Sequence, residues 1–158
     1  METWMTVWLT VRSEFSDLGD VEQTTRVSLR LVVALLLGAV VGWERESKGM
    51  DAGLRTHMLV ALGSALFVIV PWQLGMEVAD ISRVLQGVTA GIGFLGAGAI
   101  IKISDEREIR GLTTAASIWL TAAVGIAAGA GREMTAVLST LLALFVLMLS
   151  HKKPAPHK

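Results

Sequence analysis

The connector over residues 43–57, WERESKGMDAGLRTH, places three acids and three bases between two apolar runs. A second connector over residues 102–110, KISDEREIR, also holds three acids and three bases. Carboxylates of this kind could hold Mg²⁺ through water. Because the bases neutralise each connector, the sequence favours a solvated, salt-bridged cap and no dedicated metal site. The acids and bases of the first connector are Glu44, Glu46 and Asp51, and Arg45, Lys48 and Arg55.

Arg55 and Thr56 open the second apolar run, and Thr113 lies at the matching place in the fourth. Helix N-terminal amides favour anions, so two such N-termini with an arginine and hydroxyls could bind a phosphate or carboxylate. Alternatively, Arg55 could pair with Glu44 or Glu46 and close one end of a helix bundle. The sequence leaves both interpretations open.

Asp80 and Arg83 lie three residues apart at the start of the third apolar run. They could form a helix N-terminal cap with its ion-pair partner. The other interpretation is an outward-facing gate or ligand site.

Glycines recur four residues apart inside the apolar runs. Missing side chains let helices approach closely in a membrane, so these positions predict helix packing. The third run is so rich in glycine that an unwound helix lining a polar path is the alternative. The residues are Gly38, Gly42, Gly87, Gly91, Gly93, Gly96, Gly98, Gly125 and Gly129.

The elements that must position these residues are membrane spans. The chain has 158 residues, 53% of them hydrophobic, and a mean hydropathy of +0.59. Since a span needs about 20 apolar residues, the sequence predicts an all-α, polytopic fold with five transmembrane helices. Arg30 lies near the start of the first run, where its long side chain could reach the interface. The predicted spans are 27–43, 57–76, 84–101, 111–131 and 134–150.

The flanking segments and the basic residues predict the orientation. Residues 1–26 carry Trp4 and Trp8 and are expected to form an interfacial or periplasmic segment, and residues 151–158 a disordered cytoplasmic tail. Each charged connector and the tail contain three Lys or Arg residues. Since basic residues favour the cytoplasmic side, we expect the N-terminus outside and the C-terminus in the cytoplasm.

An internal repeat joins the spans into two hairpins. Leu37-Gly38-Ala39 recurs as Leu95-Gly96-Ala97, and Gly53-Leu54-x-Thr56 recurs as Gly111-Leu112-x-Thr114, both 58 residues later. Together with the matched connectors, this predicts two parallel copies of one helical hairpin.

Other classes of protein lack support in the sequence. There is no cysteine and the net charge is zero, so neither thiolate chemistry nor a nucleic-acid partner is indicated. No Ser-His-Asp set, HExxH, P-loop or GxSxG motif is present, so we expect no enzyme. His57 alone does not indicate a metal site.

Four blocks carry a family resemblance: GWERESKG, AGLRTHMLVALGSALF, SRVLQGVTAGIGFLGAGAI and RGLTTAASIWLTAAVGIAAGAG. In order and spacing, over about residues 31–150, they resemble the signature blocks of the MgtC/SapB family of bacterial inner-membrane proteins. Longer members continue into a cytoplasmic ACT-like domain, whereas we expect only the membrane domain in this sequence. Matched by position, the family's charged and hydroxyl-bearing positions are Glu44, Arg45, Arg55, Thr56, Asp80, Arg83, Arg110 and Thr113.

The resemblance implies a link to magnesium homeostasis, acid stress or virulence. The best-known members of the MgtC/SapB family are thought to act as regulators, including on the ATP synthase, and not as Mg²⁺ pumps. We therefore expect a regulator that contacts another inner-membrane protein within the lipid bilayer, with self-association as an open possibility. The alternative is a transporter or channel for Mg²⁺ or an anion. No cofactor is implied, and a role for Mg²⁺ stays open.

Overall fold

The computed structural model describes residues 2–17, 19–103 and 108–149. In this part of the chain, six helices and one strand pair follow each other. They are α1 (Glu2–Glu14), α2 (Val21–Ser47), α3 (Leu54–Gln73), α4 (Val78–Gly98), β1 (Ile101–Ile103), β2 (Glu108–Arg110), α5 (Leu112–Gly129) and α6 (Glu133–Met148).

Each of the five predicted spans forms a helix, with shifted ends. Helix α2, which contains the first predicted span, begins at Val21, six residues before the predicted start. The Asp20 side chain caps it there by accepting a hydrogen bond from the Glu22 backbone N–H. Residues 21–26, which we assigned to the N-terminal segment, are therefore helical. The expected tail over 151–158 lies outside the described residues.

Three of the helices, α2, α3 and α5, are long and apolar enough to cross a membrane. Helix α6 is apolar but has only 16 residues. Helix α4 has 21 residues, but Asp80 and Arg83 in its first turns lower its hydropathy. The membrane character of the chain is therefore clear, and the five-span arrangement stays a prediction.

Helix α5 lies at the centre, in contact with α2, α3, α4 and α6. Its Ala and Gly content suits this position, because small side chains let neighbouring helices approach closely. It runs parallel to α3, since Gly125 lies against Ala61 and Gly129 against Ala65. A methyl group at position 125 would overlap the Ala61 carbonyl oxygen, and one at position 129 would lie 2.6 Å from that of Ala65. Side chains larger than hydrogen would force these helices apart.

The two helical hairpins share a contact at equivalent positions. In the first, Gly38 of α2 lies against His57 of α3. In the second, Gly96 of α4 lies against Ala115 of α5, and each of these residues is 58 positions later. The approach is closer in the first hairpin, where Gly42 also lies against Leu54.

The second connector differs from the expected purely helical fold. Strands β1 and β2 pair antiparallel, with Ile101 opposite Arg110 and Ile103 opposite Glu108. Gly111 then turns the chain into α5 with a φ of 90°, which is the left-handed region that favours glycine. Alternation of apolar and charged residues in IKI and EIR is the signal that fits short strands.

Helix α1 is exposed along its length. Trp4 is 79% exposed and Trp8 66% exposed, and Phe15 lies just beyond the helix. Tryptophan favours the interface between lipid and water, so this exposure suits the expected interfacial segment.

Candidate functional site

The charged connector forms a compact ion-pair network at the end of α2. Glu44 Oε2 lies 2.5 Å from Arg45 Nε, and Glu44 Oε1 lies 2.6 Å from Lys48 Nζ. Both Glu44 and Arg45 are buried, with Arg45 only 3% exposed. One buried carboxylate is therefore held between two cations. The salt bridges match the predicted cap, but the expectation that it is solvated is wrong for Glu44 and Arg45, which are packed inside the bundle end.

The same network ties α2 to the end of α6. Lys48 Nζ donates a hydrogen bond to the Leu147 carbonyl oxygen at 2.8 Å, and Arg45 Nη2 lies 3.5 Å from the same oxygen. The last carbonyls of a helix lack partners within it and carry partial negative charge. The two cations thus act as partners for the Leu147 carbonyl oxygen at the C-terminal end of α6.

Glu46 caps the start of α3. Its Oε2 accepts a hydrogen bond from the Leu54 backbone N–H at 2.7 Å. Gly53 permits this approach, because a methyl group there would lie 2.6 Å from the same carboxylate oxygen. Two of the three acids of the first connector therefore have structural roles: Glu44 pairs with neighbouring bases, and Glu46 caps a helix.

Arg55 does not make the predicted ion pair. Glu44 binds Arg45 and Lys48, and Glu46 binds the α3 N-terminus, so neither carboxylate is available to Arg55. Arg55 and Thr56 are exposed, and within the described residues Arg55 makes no hydrogen bond or ion pair. Arg55 therefore stays available to an external anion, as the other interpretation requires.

His57 connects the N-terminal turns of α3 and α5. It is fully buried, with Nδ1 2.9 Å from the Gly53 carbonyl oxygen and Nε2 3.1 Å from Ser117 Oγ. Ser117 Oγ in turn donates to the Thr114 carbonyl oxygen at 2.8 Å. Sequence reasoning singled out His57 only as an unlikely metal ligand, and nothing in the sequence pointed to Ser117.

The remaining predicted site residues do not join one cluster. Arg110 is exposed, and Thr113 is half-buried in the first turn of α5. Asp80 and Arg83 form an exposed ion pair of 3.4 Å at the start of α4. The predicted ion pair is therefore present, but Asp80 is not the helix cap, because the N-cap of α4 is Glu77 and makes no side-chain cap hydrogen bond.

Sequence reasoning missed the role of Arg30, at the opposite end of the bundle. Its Nη1 donates to the Gly129 carbonyl oxygen at 3.1 Å, and its Cζ lies 5.2 Å from the centre of the Trp72 ring. Its Nε lies 4.0 Å from a carboxylate oxygen of Glu133. Arg30 therefore joins α2 to α3, α5 and α6. A cation within an apolar run was the available signal.

The predicted packing glycines fall into two groups. Four of them lie close against neighbouring helices: Gly38, Gly42, Gly125 and Gly129. At Gly96 the contact is looser, because an added methyl group would lie 3.6 Å from the Ala115 side chain. By contrast, a methyl group at four positions of α4 would meet nothing within 4 Å in the described part of the chain. These open positions are Gly87, Gly91, Gly93 and Gly98.

This arrangement offers an exposed guanidinium at one end and an open glycine face on α4. The described residues hold no group of three or more His, Cys, Asp or Glu side chains suited to a metal ion. Asp105 and Glu106 of the second connector lie outside the described residues.

Comparison with known proteins identifies relatives. A model described as the MgtC family matches residues 31–154. SrpB of Synechococcus elongatus is 46% identical over 132 residues, 77% of this chain and 72% of that protein. YhiD of Escherichia coli K12, whose name proposes magnesium transport, is 39% identical over 136 residues, 82% of this chain and 62% of that protein.

MgtC of Salmonella typhimurium LT2 is 39% identical over 116 residues, 73% of this chain and 48% of that protein. This chain thus spans about half to three quarters of the length of these relatives. No solved structure matches it. The family model and the similarity to SrpB together establish that the chain belongs to the MgtC family.

Proposed function

We propose that this protein is a multi-pass protein of the bacterial inner membrane that regulates another membrane protein through helix contact. Its physiological setting is magnesium homeostasis, acid stress or virulence. The contrast between its two groups of glycines carries the proposal. The glycines of α2 and α5 lie against other helices of the chain, whereas four of the five predicted packing glycines of α4 are open: Gly87, Gly91, Gly93 and Gly98.

The open glycines support a partner for α4. Glycine weakens a helix by about 1 kcal/mol relative to alanine, so open glycines bring no benefit to the chain alone. In lipid, small residues gain stability by letting a second helix approach. A helix of another membrane protein at Gly87 and Gly91 would recover that benefit.

The filled centre of the bundle supports regulation over transport. Helices α3 and α5 are in backbone contact at Ala61 and Ala65, and the buried hydroxyls at this interface bond within the bundle. Thr121 Oγ1 donates to the Ser117 carbonyl oxygen at 2.8 Å, and Ser117 bonds to Thr114 and His57. A polar path between these helices would require them to separate.

The orientation is part of the same proposal. The connector after α2 and the strand pair before α5 lie at one end of the bundle, since α3 and α5 begin there in parallel. With the basic residues of both connectors in the cytoplasm, the N-terminus lies outside and α1 rests at the outer interface.

Site-specific photo-crosslinking in cells tests the partner. A photoreactive residue at Gly91 should give a discrete crosslinked product, and one at the lipid-facing Leu141 of α6 should not. Gly87→Leu, placed in the Gly91 crosslinking variant, should remove the product without changing membrane levels. An unchanged product would contradict contact through the α4 glycines.

Transport of Mg²⁺ or an anion is the second candidate. Arg55 favours it, because it is exposed and unpaired within the described residues, and a cation at the start of α3 could receive an anion. A flux assay separates the candidates.

A further inference from the structure

A second surface feature, separate from the α4 face, lies between α2, α5 and α6. It is a groove of about 390 Å³, within the range of sites that bind small molecules. Its walls are almost entirely apolar, with Val41 from α2, Ala116 and Leu120 from α5, and Leu142 and Val146 from α6. Leu142 and Val146 are exposed, so the groove opens directly toward the surrounding lipid.

One end of the groove lies next to a charged side chain. Thr113 and Leu147 line it at the start of α5 and the end of α6, whereas Leu120 and Ser139 lie about 10 Å away along the helices. The Leu147 carbonyl oxygen accepts the hydrogen bond from Lys48 Nζ, which places the ammonium group at this end. The groove therefore combines an apolar channel with a cation at its mouth.

The charges of the Glu44 network do not balance. Arg45 and Lys48 face the single carboxylate of Glu44, which leaves one excess positive charge. An ammonium group has three N–H donors, and Lys48 directs at most two of them at the protein: it donates to the Leu147 carbonyl oxygen and lies 2.6 Å from Glu44 Oε1 as an ion pair. Since the Lys48 side chain is 42% exposed, its third donor can reach a ligand.

We propose that this groove binds a phospholipid with an anionic headgroup, taken from the surrounding leaflet. The acyl chain occupies the apolar channel, and the phosphate receives a charge-assisted hydrogen bond from Lys48. Basic residues between transmembrane helices recognise anionic headgroups on the same principle. A bound lipid would join α2 to α6 at the place where Lys48 already connects them.

Native mass spectrometry of the delipidated full chain in detergent tests the proposal. Phosphatidylglycerol and phosphatidylcholine with the same acyl chains are titrated separately. Because one basic residue near a headgroup contributes about 1 kcal/mol, phosphatidylglycerol should bind about fivefold more tightly. Lys48→Gln should remove this preference, and Lys48→Arg should keep it.

Ala116→Phe tests the channel independently, because it leaves the Glu44 network intact. Ala116 is exposed, so the larger ring fills the groove without entering the core. It should weaken binding of both lipids, whereas Ala123→Phe, two turns further along α5, should not. Arg132→Gln, which removes one exposed charge at the other end of the bundle, should leave the lipid preference unchanged.

Two results would overturn the proposal. One is equal binding of the two lipids by the unmodified protein. The other is lipid binding that survives Ala116→Phe. If Ala116→Phe also converted a dimer into monomers, the groove would instead be a contact between two copies of the chain.

Discussion

Gly38 of α2 lies so close to His57 of α3 that a methyl group at position 38 would sit 2.7 Å from the His57 carbonyl oxygen. The corresponding contact in the second hairpin is looser, because a methyl group at position 96 would lie 3.6 Å from the Ala115 side chain. The first hairpin is therefore in backbone contact, and the second is in ordinary van der Waals contact. This difference gives a matched pair of substitutions at equivalent repeat positions.

Gly38→Ala should destabilise the protein, and Gly96→Ala should not. Forcing a methyl group against a backbone oxygen costs about 1–3 kcal/mol. At position 96 the methyl group fits, and alanine favours the helix by up to about 1 kcal/mol. Thermal unfolding in detergent should show a lower Tm for the first variant only. Equal Tm values would mean that the close contact between α2 and α3 is absent in solution.

Glu44→Gln should be strongly destabilising, because it leaves the buried Arg45 without a counter-charge. Breaking a buried ion pair by removing one partner costs about 3–5 kcal/mol. Asp80→Asn is the control, since its exposed pair with Arg83 is worth about 1 kcal/mol or less. The comparison uses the folded fraction recovered in detergent. A loss no greater than that of Asp80→Asn would show that Glu44 does not hold the two cations together.

Arg30→Lys should weaken the opposite end of the bundle although it keeps the charge. Lysine lacks the planar fork that lets Arg30 bind the Gly129 carbonyl oxygen while lying against Trp72. We expect a lower Tm together with a change in tryptophan fluorescence. Arg83→Lys serves as the control, because the Arg83 side chain is 82% exposed and pairs with Asp80. Similar behaviour of both variants would argue against the Arg30 contacts.

Single cysteines can establish the orientation, since the chain has none of its own. Leu74→Cys after α3 should react with a membrane-impermeant maleimide in spheroplasts. Asp51→Cys in the first connector should react only after the membrane is permeabilised. Both positions are exposed, so accessibility within the protein does not limit labelling. The reverse pattern would place the connectors outside the cell.

The sequence predicted the helices because long apolar runs have few other structures available in lipid. It also predicted the salt bridges of the first connector from balanced charges. It did not predict the strand pair, because an alternation of only three residues per strand is too brief to be recognised between two apolar runs. Helix ends shifted where polar residues such as Asp20 act as caps.

The partners of individual side chains were harder to predict. Arg55 and Lys48 are both basic residues near Glu44, and only the three-dimensional path of α2 decides that Lys48, one helical turn away, reaches it. The contact between Arg30 and Gly129 spans 99 residues of sequence. Likewise, the sequence does not show which glycines pack against a neighbour: Gly125 lies against Ala61 of α3, whereas a methyl group at Gly91 would meet nothing within 4 Å in the described chain.

Mg²⁺ flux into proteoliposomes that contain only this purified protein tests the central claim most directly. A regulator should give no flux above empty vesicles, from protein whose Tm shows that it is folded. Arg55→Ala and Asp80→Ala should then change nothing. Mg²⁺ flux above empty vesicles that either substitution abolishes would contradict the regulatory account and make the protein a transporter.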